Sequence, residues 1–266
     1  MATFLDHLVE TVLLGVIQGL TEWLPVSSTG HLRMFENFLG LEFPVFFDVV
    51  LHFGTLIVIL AFFREDVDRI IFSLRRLDFK TESGRMVPLI IVGVIPTMLI
   101  GLSFGWLIEG VFQRNLPIGI AFLFGGTLLF SSRVGKEKGR EISYSTAVMM
   151  GVAQGVAIVP GISRSGATIA VALLLGVKRE EAFKFSFLLS VPAILGALSY
   201  TLYAQFREFS LSGLGWFEVL AGASAAMVVG YLALRLLWKT IAQRKFYMFA
   251  FYCWLFGAML VLTSVF

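Results

Sequence analysis

Two short polar stretches, each set between apolar runs, contain the residues of this sequence that are best suited to chemistry. The first holds Glu22 and His31, and the second holds Arg164. Ionisable groups at membrane depth are costly to place, so each of these side chains is a functional candidate. A carboxylate, an imidazole and a guanidinium together can hold an anion, move a proton or attack an electrophile.

The two stretches are similar to each other. Residues 15–31 read GVIQGLTEWLPVSSTGH, and residues 151–168 read GVAQGVAIVPGISRSGAT. Each is an apolar helical run interrupted by proline, then a turn of Ser, Thr and Gly, then a second apolar run. At a constant offset of 136, six pairs are identical: Gly15/Gly151, Val16/Val152, Gln18/Gln154, Gly19/Gly155, Ser27/Ser163 and Gly30/Gly166.

Both turns have the composition of a phosphate site. Hydroxyl residues suit a helix N-cap, and a helix N-terminus offers free N–H groups and a positive dipole end to an anion. Arginine binds phosphate oxygens as a bidentate fork. We therefore expect the two turns to meet and form one site. Its expected catalytic residues are Glu22, Ser28, His31 and Arg164. Its expected phosphate-binding residues are Ser27, Thr29, Ser163, Arg164, Ser165 and Thr168.

The residue types leave several roles open. His31 is a candidate base or nucleophile, and Ser28 is a second candidate nucleophile. Glu22 either orients the histidine or holds a divalent cation. Three histidines and one cysteine at scattered spacings do not form a zinc site, and the sequence contains no Walker loop and no GxSxG elbow.

The composition indicates a membrane protein. Of 266 residues, 58% are hydrophobic and 15% are charged, whereas soluble domains are about 45–50% apolar and about 25% charged. A helix needs roughly 20 apolar residues to span the bilayer. Six runs qualify, and we expect one integral membrane domain over 1–266. The runs are about 44–64, 86–108, 116–132, 182–205, 214–237 and 246–266.

Two further pairs of runs are individually too short to span. They cover about 4–22 with 30–41 and 143–158 with 165–176, and each pair is separated by a proline-containing turn. Interrupted segments at corresponding places in two halves indicate re-entrant helices of an inverted repeat. The predicted fold is therefore an all-α polytopic membrane protein with six transmembrane helices and two re-entrant helix pairs. Repeat one covers about 1–135 and repeat two covers about 136–266.

Basic residues predict the orientation. Cytoplasmic loops carry an excess of Lys and Arg, and one orientation places sixteen of the 21 basic residues inside. These are Arg64, Arg69, Arg75, Arg76, Lys80, Arg85, Arg133, Lys136, Lys138, Arg140, Lys178, Arg179, Arg235, Lys239, Arg244 and Lys245.

The two motifs also resemble those of a known family. The blocks GxxQGxTEWLPVSSTGH and PGISRSGAT are similar to the two signature motifs of the undecaprenyl-diphosphate phosphatases, the bacitracin-resistance family. The stretches FDVVLHFGT and FSFLLSVPA, the length and the hydropathy fit as well, so the resemblance covers nearly the whole chain.

The resemblance implies a metal-dependent membrane enzyme. Such an enzyme removes the terminal phosphate of undecaprenyl diphosphate, a polyprenyl diphosphate lipid, and returns the monophosphate carrier lipid to cell-wall synthesis. It implies Mg²⁺ or Ca²⁺ as cofactor and a plasma-membrane location with the active site toward the extracytoplasmic face. No nucleic-acid partner is expected. The oligomeric state stays open, with a homodimer as one alternative.

The resemblance also assigns residues. Gln18 and Glu22 match an acidic (Glu/Gln)-xxx-Glu motif, which implies a metal at these positions, although many members carry Glu where this chain has Gln18. The nucleophile stays open among Ser28, His31 and water, and we favour Ser28 with His31 as its proton-transfer partner. The hydroxyl and phosphate-binding positions of the family correspond to Ser27, Ser28, Ser163, Arg164, Ser165 and Thr168.

One alternative function is compatible with the same architecture. Inverted repeats with broken helices at mid-depth are typical of transporters. A polyprenyl-phosphate flippase or transporter, alone or in addition to hydrolysis, is therefore the second prediction. The grouping of Glu22, His31 and Arg164 favours an enzyme.

Overall fold

The computed structural model describes residues 4–39, 45–112, 114–209 and 215–265. These residues form helices and no strands. Short 3₁₀ turns at Ser132–Val134 and Phe246–Met248 join helices at one end of the bundle. The helices are α1 (Phe4–Trp23), α2 (Ser28–Leu39), α3 (Val45–Phe62), α4 (Arg64–Arg75), α5 (Glu82–Val111), α6 (Asn115–Ser131), α7 (Tyr144–Val156), α8 (Arg164–Leu174), α9 (Arg179–Phe209), α10 (Trp216–Ala242) and α11 (Phe249–Val265).

The helix lengths confirm an all-α polytopic membrane protein. Among the described residues, five helices are long and apolar enough to cross a bilayer: α5, α6, α9, α10 and α11. The sixth span is α3 when it is taken together with α4, to which it is joined by a bend of 83°. Each of the six predicted apolar runs thus corresponds to one helix.

Helix α4 is amphipathic and turns away from the span that precedes it. It exposes Ile71 and Phe72 on its surface, and it begins with charged residues at Arg64, Glu65 and Asp66. An amphipathic helix of this kind suits the membrane interface. An ion pair of 3.1 Å between Asp66 and Lys184 connects α4 to α9.

The helices pack in corresponding pairs. In the predicted repeat, α1 corresponds to α7, α5 to α10, α3 to α9 and α6 to α11. Helix α1 packs against α10, and its counterpart α7 packs against α5. Helices α6 and α11 pack against each other, as do α3 and α9. The crossings rely on counterpart glycines, since a Cβ on Gly15 would collide with the backbone of Gly222 and a Cβ on Gly151 with that of Gly93. Helices of each half thus pack against corresponding helices of the other half, which is what two repeats predict. The opposite membrane orientation of the halves stays a prediction.

Each of the two predicted re-entrant pairs corresponds to two helices joined by a tight turn, and their re-entrant course in the membrane stays a prediction. Helices α1 and α2 flank residues 24–27, and α7 and α8 flank residues 157–163. The ring of Trp23, at the end of α1, is fully buried and packs edge-on against Phe187 of α9 at 5.4 Å. Each turn is therefore held inside the bundle between the long spans.

Cysteine labelling tests the predicted orientation. Arg76 and Lys138 lie in exposed loops, and Arg114 is exposed at the start of α6. The native Cys253 is buried, so a membrane-impermeant maleimide reports on introduced thiols. We expect Arg76→Cys and Lys138→Cys to react only from the cytoplasmic side and Arg114→Cys only from outside, because basic loops stay inside. Labelling of Arg76→Cys or Lys138→Cys in intact cells would contradict this orientation.

Candidate active site

The two proline-containing turns meet in the interior of the bundle. The backbone N–H of Gly161 donates to the hydroxyl oxygen of Ser27 at 2.9 Å. In the opposite direction, the hydroxyl of Ser165 donates to the carbonyl oxygen of Trp23 at 3.1 Å. Each turn thus satisfies a polar backbone group of the other, which buried backbone requires.

Ser27 has an unusual backbone conformation at this junction. Its φ of +64° lies in the left-handed region, which residues other than glycine seldom adopt. The carbonyl oxygen of Ser27 accepts hydrogen bonds from the backbone N–H of His31 at 3.3 Å and from Nδ1 of His31 at 2.8 Å. Ser27 therefore links the two turns through its hydroxyl and orients His31 through its carbonyl group.

The Glu22 carboxylate is the centre of the polar site, and only 5% of its side chain is exposed. Oε1 is paired with Nη2 of Arg164. Oε2 accepts hydrogen bonds from the hydroxyl of Ser28 at 2.6 Å and from Nε2 of Gln18 at 3.1 Å. Nε2 of His52 lies 3.5 Å from the same oxygen. One carboxylate thus joins residues from both turns and from α3.

Arg164 is fixed by the first turn as well as by its own helix. It is the first residue of α8, and its guanidinium carbon lies 5.8 Å from the centre of the Trp23 ring, within range of a cation–π interaction. A fifth of the side chain, 20%, stays exposed. Arg164 therefore combines a fixed position with some access for a ligand.

His31 occupies an aromatic environment. Because Nδ1 faces a carbonyl oxygen, which only accepts, Nδ1 donates and Nε2 accepts from the hydroxyl of Tyr252 at 2.7 Å. The imidazole stacks on Phe256 with centroids 4.4 Å apart and meets the edge of Phe122 at 5.4 Å. These contacts hold the ring in a single orientation, and in the neutral ring they place the proton on Nδ1.

The two candidate nucleophiles have different partners. Ser28 donates to Glu22, whereas His31 bonds to Ser27 and Tyr252. Within the described residues no hydrogen bond joins Ser28 to His31. The predicted proton transfer between them stays a prediction, and the geometry places a carboxylate, Glu22, as the nearest proton acceptor for Ser28.

Three hydroxyls of the second turn stabilise the turn itself. Ser163 caps α8 by accepting from the N–H of Gly166 at 3.1 Å, and its hydroxyl lies 3.2 Å from that of Ser165. Thr168 is fully buried; it donates to the carbonyl of Arg164 at 2.9 Å and lies 2.5 Å from the hydroxyl of Ser186. These groups position Arg164, and their predicted contacts with phosphate stay predictions.

Thr29 differs from the other predicted phosphate-binding residues. Its side chain is exposed in the first turn of α2, whereas the adjacent Ser28 and Ser27 are buried. The structure thus brings Gln18, Glu22, Ser28 and Arg164 into direct contact. It places His31 beside them through Ser27 and leaves Thr29 on the surface.

The site offers oxygen ligands to a cation. No group of three or more His, Cys, Asp or Glu side chains is arranged for a metal in the part of the chain that the structure describes. Oε1 of Gln18, however, is buried without a hydrogen-bond partner, next to the Glu22 carboxylate. Mg²⁺ is commonly bound by one or two carboxylates together with water and substrate phosphates. Gln18 and Glu22 therefore fit a hard cation whose remaining ligands come from a phosphate and water.

The sequence pattern of the bacitracin resistance protein BacA matches residues 11–259. The chain belongs to the BacA family. The matched range includes both turns and every residue that contacts Glu22.

Curated relatives of this BacA-family chain are similar over almost their whole length. A protein of Halothermothrix orenii is 41% identical over 260 residues, which cover 96% of this chain and 97% of the relative. A protein of Desulforapulum autotrophicum is 41% identical over 276 residues, and the match covers 97% of this chain and 99% of the relative. One of Methanobrevibacter smithii is 38% identical over 275 residues, covering 97% and 98%. All three carry the name undecaprenyl-diphosphatase.

Sequence reasoning did not identify Tyr252 in this BacA-family site. It lies in α11, more than two hundred residues from His31, within the aromatic run AFYCWLF. Nothing in that run distinguishes a hydrogen-bonding tyrosine from a lipid-facing one. His52 lies on α3, outside both turns, and its contact with Glu22 places it at the site.

A double-mutant cycle tests whether Glu22 and Arg164 form a coupled buried pair. Removing one partner of a buried pair costs about 3–5 kcal/mol because it leaves an uncompensated charge. We expect Glu22→Gln and Arg164→Gln each to lower the free energy of unfolding by at least about 2 kcal/mol. The double variant should lose much less than the sum, as measured by thermal unfolding in detergent.

An exposed pair provides the matched control. Arg85 and Glu141 form an ion pair of 3.3 Å with 55% and 66% of their side chains exposed, and exposed pairs contribute under about 1 kcal/mol. The same cycle with Arg85→Gln and Glu141→Gln should give little coupling. A coupling energy for Glu22 and Arg164 no greater than this control would contradict the proposed pair.

Proposed function

We propose that the protein is a membrane phosphatase that hydrolyses undecaprenyl diphosphate to the monophosphate carrier lipid and inorganic phosphate. The observation that carries this proposal is the contact between Glu22, Ser28 and Arg164, which joins a nucleophile, a proton acceptor and a phosphate-binding cation. The relatives support it, since they are named as phosphatases of this lipid. The alternative of lipid transport alone has no comparable support.

Arg164 binds the terminal phosphate of the substrate. Arg164 is the first residue of α8, so a phosphate at its guanidinium also faces the free N–H groups of that helix N-terminus. The N-terminus of α2, at Ser28, contributes a second set of such groups. The phosphate competes with Glu22 for Arg164, and its binding releases the carboxylate for proton transfer.

Ser28 is the nucleophile of this mechanism. Its oxygen attacks the terminal phosphorus while its proton passes to the Glu22 carboxylate, 2.6 Å away. The bond from phosphorus to the bridging oxygen breaks, and the polyprenyl monophosphate leaves. Water then attacks the phosphoserine and releases inorganic phosphate, which restores Ser28. His31 acts as the base for this water through Nε2, which must first give up its hydrogen bond to Tyr252 while Nδ1 stays bonded to Ser27.

The cofactor of the reaction is a divalent cation, Mg²⁺ or Ca²⁺. The carboxylate of Glu22 and the unpartnered Oε1 of Gln18 hold it. When bound, the cation neutralises charge on the phosphate oxygens. Because Gln18 is neutral in this chain, the protein supplies a single anionic ligand.

We propose that the protein lies in the plasma membrane with its active site toward the extracytoplasmic face. The distribution of Lys and Arg supports the orientation of the chain through the positive-inside rule, and the resemblance to the family implies the face to which the site opens. A polyprenyl substrate is consistent with the location, because its chain stays in the bilayer while its diphosphate reaches the site. A homodimer stays an untested prediction.

Substitution of Arg164 tests the proposed function. The purified protein in detergent should release phosphate from undecaprenyl diphosphate in the presence of Mg²⁺ or Ca²⁺. Arg164→Lys keeps the charge but loses the planar fork, so we expect kcat/KM to fall at least about tenfold, and Arg164→Ala to lose about a hundredfold or more. Arg76→Lys, at an exposed position, is the control. Near-normal turnover of both Arg164 variants would exclude Arg164 from the site.

The repeat supplies a matched control for the cation site. Gln154 is the counterpart of Gln18, is also buried and likewise has an Oε1 without a hydrogen-bond partner, but its amide donates toward Thr97 and Leu189, whereas that of Gln18 donates to the Glu22 carboxylate. A chelator should abolish phosphate release. We expect Gln18→Ala to raise the Mg²⁺ concentration for half-maximal activity several-fold, Gln18→Glu to lower it, and Gln154→Ala to leave it unchanged. An equal effect of Gln18→Ala and Gln154→Ala would contradict the assignment.

A further inference from the structure

A polar cavity lies away from the candidate active site. Its volume is about 380 Å³, and it is formed where the 3₁₀ turn after α6, the start of α9 and the turn before α11 come together. None of its lining residues belongs to the site around Glu22. Gly135 on its wall is packed against the backbone of Leu173 in α8, so the cavity adjoins the end of α8 opposite to Arg164. Eleven residues of helix separate the two ends by roughly 16 Å.

The cavity is strongly basic. Four cationic side chains and one carboxylate line it: Arg133, Lys136, Arg179, Arg244 and Glu137.

The carboxylate does not neutralise these cations. Oε2 of Glu137 lies 3.7 Å from Nε of Arg179 and 3.8 Å from Nη2 of Arg244, which are ion-pair distances beyond hydrogen-bond range. Nε of Arg179 is buried without a hydrogen-bond partner. Among the described residues, Arg133 and Lys136 have no acidic partner, and Arg133 instead lies over the ring of Tyr247 at 5.6 Å. Arg133, Lys136 and Arg244 therefore line the cavity with N–H donors that no carboxylate of the described residues approaches within hydrogen-bond range.

We propose that this cavity binds a phosphate group, either in the head group of an anionic membrane lipid or as free inorganic phosphate. Guanidinium groups from separate elements match the oxygens of a phosphate. The volume of about 380 Å³ lies within the usual range of ligand sites. The residues belong to loops that the positive-inside rule places in the cytoplasm, where basic pockets between helices bind lipid head groups.

The aromatic residues of the cavity fit its position at a membrane surface. Phe246 is buried beneath it, and Tyr247 lies along its wall. Tyrosine is enriched at the level of the lipid head groups. A lipid phosphate at this level can enter the cavity while its acyl chains stay in the bilayer beside α6 and α11.

Native mass spectrometry and thermal unfolding test this inference with the intact protein. The test variant is Arg133→Gln/Lys136→Gln/Arg244→Gln. The control is Arg75→Gln/Arg76→Gln/Lys80→Gln, which removes three exposed charges from another loop on the same predicted side. The probes are phosphatidylglycerol, phosphatidylcholine and inorganic phosphate.

If the ligand is a lipid, we expect the test variant to retain at least fivefold fewer phosphatidylglycerol adducts than the parent and the control retain. Phosphatidylcholine adducts should be equal in all three proteins. If the ligand is inorganic phosphate, we expect added phosphate to raise the unfolding temperature of the parent and the control in a concentration-dependent way, and to leave that of the test variant unchanged. Either result supports the cavity.

A variant that should bind more tightly separates a loss of binding from misfolding of the triple variant. Glu137→Gln removes the one carboxylate that competes with a phosphate, so we expect it to bind the active probe several-fold more tightly than the parent. Equal losses in the test and control variants, no response to either probe, or unchanged binding in Glu137→Gln would overturn the inference. The inference does not depend on hydrolysis, so activity assays of the Arg164 variants fail or succeed independently of it.

Discussion

The structure depends on the burial of one carboxylate. Glu22 is 7% exposed within an apolar bundle, and a charge in such surroundings requires an opposite charge and hydrogen bonds. Arg164 supplies the charge, and Ser28 and Gln18 supply the hydrogen bonds. Because Glu22 lies in one half of the chain and Arg164 in the other, the same requirement holds the two turns together.

The halves share geometry but not chemistry. At the repeat offset, Arg164 corresponds to Ser28 and Glu22 corresponds to the apolar Ile158. Both Ser28 and Arg164 begin the second helix of their pair, and both bond to the same carboxylate. A symmetric pair of turns would place two carboxylates or two arginines near one axis, where like charges repel. The division of residue types therefore gives a neutral pair in place of two unpaired charges.

Much of this arrangement could be predicted from sequence, because helix length and turn composition are local properties. The six apolar runs and the two interrupted pairs correspond to observed helices, and the shared Gln-Gly and Ser/Gly positions indicated that the turns are equivalent. The role of each hydroxyl depends on contacts that no spacing encodes. Thr168 and Ser165 have the composition of phosphate ligands, yet their hydroxyls bond to neighbouring helices and to backbone. Tyr252 reaches His31 from the last helix through packing alone.

The charge of the site is a physical argument for the divalent cation proposed above. The charges of Glu22 and Arg164 cancel, Gln18 carries no charge, and His31 is bonded to a carbonyl oxygen and a hydroxyl and not to a charged group. A diphosphate brings at least two negative charges into this nearly neutral and largely buried pocket, where charges interact more strongly than in water. Arg164 alone compensates for only one of them, and only by releasing Glu22, which adds another. A divalent cation held by Glu22 and Gln18 would supply the missing positive charge. If the proposed cation binds there, the empty site needs no counterion of its own, and the substrate would bind together with the metal.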